Sequence, residues 1–211
     1  KPKKEVSDLF IKTGRIQYII MSYILKGVVV IGQEFINRWA GIKYSEAYVI
    51  CLIFFIPLTI PLIQSLGVTI LQARNQLKFR SIVCLLIAVF SLLISIPLTK
   101  QYSGIGCAIG TAFALILGQI IVMNIYYKKK VSLDINKFWF EIIKMSIIPA
   151  MFCLIGLWAN KYIDLNSYPK LFVGVVVFSV LYLPLFWFFS MNKYERELFI
   201  KPIKRLIKKE K

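Results

Sequence analysis

The chain has 211 residues, 58% of them hydrophobic, with a mean hydropathy of +0.71 and a formal charge of +17. Soluble chains hold about 45–50% apolar residues, and 211 residues cannot bury apolar runs of this number and length in one water-soluble core. There is no His, and Cys51, Cys84, Cys107 and Cys153 all sit inside apolar runs without metal-ligand spacing, so they read as core thiols and no metal or cofactor is expected.

The chain begins at Lys1 rather than Met, with no charged stretch leading into a short apolar segment, and is expected to be part of a longer protein. The first predicted span covers 15–37 and carries Arg15, Ser22, Lys26, Gln33 and Asn37 at steps of 7, 4, 7 and 4. At about 100° per residue those steps hold all five on one helical face. A polar stripe inside a span is costly and turns towards a water-filled cavity or partner helices. Lys26 is its deepest cation: it either faces that cavity or snorkels to the cytoplasmic interface, and the agreement of the whole stripe favours the cavity. A tight turn follows in FINRWAGIKYSEAY (35–48), where Gly41 permits the reversal, Trp39 and Tyr44 suit the interfacial aromatic belt, and Arg38 and Lys43 reach headgroups or a cavity mouth.

The second span, 44–71, contains Pro57 and Pro61 and an inner half with Gln64, Ser65 and Thr69, the composition of a bent helix. The third covers 81–99 and the fourth 105–127. The fourth opens on YSGIGCAIGTA (102–112), in which Gly106 and Gly110 form a small-xxx-small face for close helix packing. In the fifth, 138–159, Glu141 and Lys144 are three apart and can pair, either at the interface or as an ion-coupled pair. The sixth covers 171–190, and Pro149 and Pro184 mark bends in the last two. Each run has the length that crosses a hydrocarbon core as helix. The fold class is all-α: a polytopic transmembrane bundle of six helices.

Cations cluster at residues 1–15, 74–80, 128–137 and beyond 193, whereas Arg38, Lys43, Lys100, Lys161 and Lys170 fall on the opposite side. That asymmetry places both termini of the segment in the cytoplasm. It explains the basic charge by topology and anionic lipid, with no nucleic acid as partner. The tail from Tyr194 mixes Leu198, Phe199, Ile203, Leu206 and Ile207 with basic residues and reads as an amphipathic helix on the inner leaflet. The organisation is therefore 1–130, four spans; 131–190, two further spans; and 191–211, a basic cytoplasmic tail. There is no Ser–His–acid set, Gly-rich phosphate loop or paired-carboxylate motif, and Glu141 and Asp164 are the only loose acid candidates, so the segment is not expected to be an enzyme.

Phe35, Ile36, Trp39, Gly41 and Tyr44 resemble the "fi-x-x-W-x-G-x-x-Y" turn of the Wzx-type polysaccharide flippases of the multidrug/oligosaccharidyl-lipid/polysaccharide (MOP) superfamily. The basic loop QARNQLKFR (72–80) and the run from Tyr102 to Ala112 follow in that family's order across about residues 10–130. The resemblance implies the C-terminal part of a two-lobed transporter in a bacterial cytoplasmic membrane, built from related repeats around a central cavity. It implies flipping of undecaprenyl-pyrophosphate-linked oligosaccharide units, with membrane lipids and polysaccharide polymerase machinery as partners. Under that reading Lys26 and Arg38 would meet pyrophosphate, Gln33, Asn37 and Gln64 would bond sugar hydroxyls, and the last two helices would offer the lipid tail a groove. A drug or metabolite antiporter would want an acid deep in a span, a membrane polymerase would want large outer loops, and a structural scaffold would not need the stripe. The topology is testable: a reporter active only in the cytoplasm should work when fused after Lys78 or Lys130 and fail after Lys43 or Lys100.

Overall fold

A computed structural model describes residues 3–159 and 167–200. Every regular element among them is helical: α1 (Lys3–Trp39), α2 (Glu46–Ile63), α3 (Ser65–Ala73), α4 (Leu77–Leu115), α5 (Met123–Tyr126), α6 (Ile135–Ala159) and α7 (Tyr168–Phe189). A short 3₁₀ turn at Ile42–Tyr44 precedes α2, and π-helical stretches at Ile116–Val122 and Tyr127–Val131 flank α5. A further helical segment covers 193–200. By length and apolarity five helices can cross a membrane: Lys4–Trp39, Ile42–Ile63, Leu77–Val131, Ile135–Trp158 and Tyr168–Phe189.

The boundaries follow local chemistry. The 37 residues of α1 rise about 55 Å, well beyond a hydrocarbon core of about 30 Å, so its first turns have length to spare ahead of the predicted span. The turn after α1 is made at Gly41, whose φ of 98° favours glycine although nothing lies within 4 Å of where a Cβ would stand. Around it Phe35 stacks on Trp39 at 6.2 Å, and Trp39 and Tyr44 are exposed where the chain leaves the apolar zone. The predicted second span is broken at Gln64 (φ −103°, ψ 14°), one turn after Pro61, which divides α2 from α3. Asp134 caps the start of α6 by accepting from the Lys137 backbone N–H at 3.1 Å. Pro169 sits in the first turn of α7, where its missing donor costs nothing.

The 55-residue run Leu77–Val131 is not straight. Tyr102 (φ −123°, ψ 16°) and Ser103 (φ 51°, ψ −134°) leave helical geometry, and the chain folds back on itself. Ser91 Oγ donates to Thr111 Oγ1 at 2.9 Å, Ser95 Oγ to the Cys107 carbonyl at 3.1 Å, and Phe79 stacks on Tyr126 at 4.1 Å. Gly106 lies against the Leu98 backbone and Gly110 against Ser95, so the small-residue face brings the two arms into backbone contact.

At the centre, α1 packs on α6, α2 and α7. Phe10, Phe138 and Tyr127 pack together at the end of the bundle where α1 and α6 begin, and Tyr23, Phe152, Phe178 and Tyr182 form an aromatic cluster nearer the middle. Leu85, Phe90, Phe140, Phe172 and Phe188 point outward, as lipid-facing side chains do. The cysteines depart from the expected core placement: Cys153 is buried, Cys51 is half-buried, and Cys84 and Cys107 face outward. Lipid is as apolar as a core, so an outward thiol loses nothing there.

A side chain at Gly106 or Gly110 must push the hairpin arms apart. Gly106→Val or Gly110→Leu should lower stability by about 1–3 kcal/mol. Gly27→Ala should be nearly silent, because its nearest neighbour stands 3.9 Å away. Thermal unfolding of the purified protein in detergent distinguishes them.

Candidate functional site

The polar face of α1 meets α6, α7 and the segment after α7. Arg15 is buried in its N-terminal half. Its Nε donates to Glu195 Oε1 at 2.6 Å and Nη2 to Glu195 Oε2 at 3.1 Å, while Nη1 pairs with Glu141. Nη2 also reaches the Ser190 carbonyl at 3.4 Å. Glu195 is 3% exposed and does a second job, accepting from the Asn192 backbone N–H at 2.8 Å to cap helix 193–200. Two carboxylates therefore share one guanidinium that binds each from a different side. A polar pocket of about 190 Å3 opens beside them, lined by Asp8, Lys12, Lys137, Glu141, Asn192 and Tyr194. At its rim Lys137 pairs with Asp8 at 3.5 Å and the Lys12 ammonium lies 5.2 Å above the Tyr194 ring.

One turn further in, the same face is closed by hydroxyl pairs. Tyr18 bonds Ser146 of α6 at 2.5 Å, and Tyr182 of α7 donates to Ser22 at 3.1 Å. Beyond them Lys26 is half-buried beside Cys153 of α6 and has no hydrogen-bond or ion-pair partner among the described residues. Gln33 Nε2 donates to Asn37 Oδ1 at 3.2 Å, and the half-buried Arg38 follows, its carbonyl accepting from Tyr168 Oη at 3.3 Å. Lys26, Gln33, Asn37 and Arg38 thus continue along the outer half of α1.

Gln64 does not join them. It is 3% exposed and donates from Nε2 to Asn124 Oδ1 at 2.8 Å, pinning the α2–α3 break to α5. On the same side the Gln17 amide lies 2.6 Å from Ser65 Oγ, and with its nitrogen turned towards the Leu62 and Ile63 carbonyls it donates to both at 3.1 Å while its oxygen accepts from Ser65. These amides satisfy backbone groups that a broken helix would leave bare in lipid. Gln64, expected to bond sugar hydroxyls, is in this structure buried and bonded to Asn124 at that break, apart from the other residues of the expected site. The Glu141–Lys144 pair is corrected: Glu141 turns to Arg15, and Lys144 is exposed. A long-range partner that is itself buried offers a drier and stronger contact than a surface neighbour three residues on.

Glu195 was not legible as a site residue, because it sits among basic tail residues. Its only sequence signal is the Asn192–Glu195 spacing of a capping box. Residues 201–211 and Asp164 lie outside the described residues, so the tail expectation bears only on 193–200. Among the described residues no three His, Cys, Asp or Glu side chains gather as metal ligands. A second feature is an apolar groove of about 290 Å3 between α1 and α7, lined by Tyr23, Gly27, Ile31, Phe35, Leu171, Val175 and Phe178.

No family profile, curated protein or solved structure matches the chain. The chain is thus defined by its fold class alone, an all-helical bundle of membrane-spanning character, and the family resemblance rests on the residues that carry it.

Arg15→Met removes the counter-charge of two carboxylates and should cost about 3–5 kcal/mol. Glu195→Gln should cost less, because an amide oxygen still accepts from Asn192. Hydrogen exchange should rise in 191–200 in both variants, with the larger rise in Arg15→Met.

Proposed function

We propose that the protein moves a lipid-linked, anionic oligosaccharide between leaflets of the bacterial cytoplasmic membrane as the C-terminal part of a two-lobed Wzx-type flippase. Five helices are long and apolar enough to cross a membrane, and on this reading the two arms of the bent Leu77–Val131 run cross separately, so that the cation-rich loops and both ends of the segment share the cytoplasmic side. The observation that carries the reading is Lys26. Among the described residues this mid-span cation has no anionic or hydrogen-bonding partner, which is expensive in a membrane and suits a polar or anionic cargo. On the same face Gln33 and Asn37 supply amides suited to sugar hydroxyls, and Arg38, about 120° further round the helix from Lys26, supplies a second cation near the outer surface.

The cargo also has a long apolar tail, and α1 treats the two parts separately. Val28 and Lys26 point to opposite sides of the helix at about 100° per residue. The α1–α7 groove opens on the Val28 side, so the tail stays in lipid while the headgroup follows the Lys26 side. The buried acids support coupling to ions less well, since Glu141 and Glu195 sit at the cytoplasmic end and are already bound to Arg15.

The test uses the complete protein in vesicles with a fluorescent short-chain pyrophosphate-linked oligosaccharide, following headgroup exposure to an external quencher. A charge-assisted contact is worth about 1.5–3 kcal/mol, so Lys26→Met should slow transfer about tenfold or more, whereas Lys26→Arg should retain most of it. Unchanged transfer in Lys26→Met would remove Lys26 from the cargo path.

A further inference from the structure

The cytoplasmic face is electrically divided. Around α1, α6 and 191–200 acids are interspersed among the cations and match some of them, Arg15 by Glu141 and Glu195, and Lys137 by Asp8. Around the hairpin they are not. No Asp or Glu occurs between Glu46 and Asp134, and Asp134 turns its carboxylate to the Lys137 backbone N–H. Two turns of this acid-free stretch are drawn together at the cytoplasmic end of the hairpin, carrying Arg74, Lys78 and Arg80 on one and Lys128, Lys129 and Lys130 on the other. Arg74 Nη1 donates to the Val131 carbonyl at 3.2 Å, and Phe79 stacks on Tyr126, which fixes the two turns side by side. Lys78 and the three consecutive lysines are exposed.

An apolar groove of about 130 Å3 begins directly beneath this patch. It runs between the hairpin arms past Val83, Ile87 and Phe90 on one side and Val122, Gly118 and Ala114 on the other. Arg80 stands one helical turn from Val83 on the same face, as Tyr126 does from Val122. Positive-inside topology accounts for cations on this side of the membrane, but not for a patch without acids that sits over a chain-width apolar groove.

We propose that the hairpin's cytoplasmic end is a binding site for an anionic phospholipid of the inner leaflet. Its phosphate would rest on Arg80 and the Lys128–Lys130 turn, and one acyl chain would lie in the groove. The occupant is a resident lipid rather than the transported one, because this groove lies between the hairpin arms whereas Lys26 is on α1. The site does not depend on the flippase reading.

The test is native mass spectrometry of the purified protein titrated with phosphatidylglycerol or with phosphatidylcholine of the same chains. Each basic residue near an anionic surface contributes about 1 kcal/mol, so phosphatidylglycerol should be retained at least about tenfold better. Replacing Arg80, Lys128, Lys129 and Lys130 together with Gln should erase that preference. Lys12→Gln with Lys137→Gln, on the matched half, should leave it intact. Leu86→Trp, which fills the groove from the lipid side, should weaken retention of both lipids. Equal retention of the two lipids by the unaltered protein would overturn the proposal, with no reliance on any variant folding. So would a preference that survives the fourfold replacement, or displacement of phosphatidylglycerol by equimolar polyprenyl pyrophosphate, which would assign the site to cargo.

Discussion

The packing of α1 against α6 and the segment after α7 depends on one guanidinium. Arg15 joins α1 to Glu141 of α6 and to Glu195, 180 residues along the chain, and its remaining reach goes to the carbonyl that ends α7. A charge this buried is tolerated only when its fork of donors is filled, and here two carboxylates and a backbone oxygen fill it. Glu195 carries the constraint onward, because the oxygen that accepts from Arg15 Nη2 also accepts from the Asn192 N–H and starts helix 193–200. Removing Arg15 would therefore loosen three elements at once.

The interior follows the complementary rule that a membrane supplies no water to satisfy broken helices. Where α2 gives way to α3 the freed carbonyls meet Gln17, and Gln64 meets Asn124. Where the long hairpin turns on itself, Ser91, Ser95 and Thr111 knit the arms together, with glycines permitting the approach. Polar residues that look like a potential lining for a cavity are in large part the internal bonding of a bundle with bent and reversing helices. What is left over is informative for that reason: among the described residues Lys26 has no hydrogen-bond or ion-pair partner, and Gln33 and Asn37 on its face bond only to each other.

Function on this reading comes from a division of labour around α1. Its inner third is locked electrostatically, and its outer two thirds present polar groups on one side and an apolar groove on the other. An amphiphile crossing a bilayer needs that separation, since its headgroup and tail have opposite preferences for solvent.

Some of this was written in the sequence. Long apolar runs determine an all-helical, membrane-spanning chain, because only a helix satisfies its own backbone in lipid. The pattern of 7- and 4-residue steps places Arg15, Ser22, Lys26, Gln33 and Asn37 on one face, because helical geometry alone fixes that. The same local logic gave Gly41 its turn and Gly106 and Gly110 their packing. What the stripe faces was not written there. Spacing along one helix carries no information about which distant carboxylate will fold over Arg15, or that Gln64 will spend its amide on Asn124 rather than on a ligand. Local periodicity sets the direction in which a side chain points; only the packing of residues 126 or 180 positions away decides whether it meets an ion partner, a hydroxyl or open space.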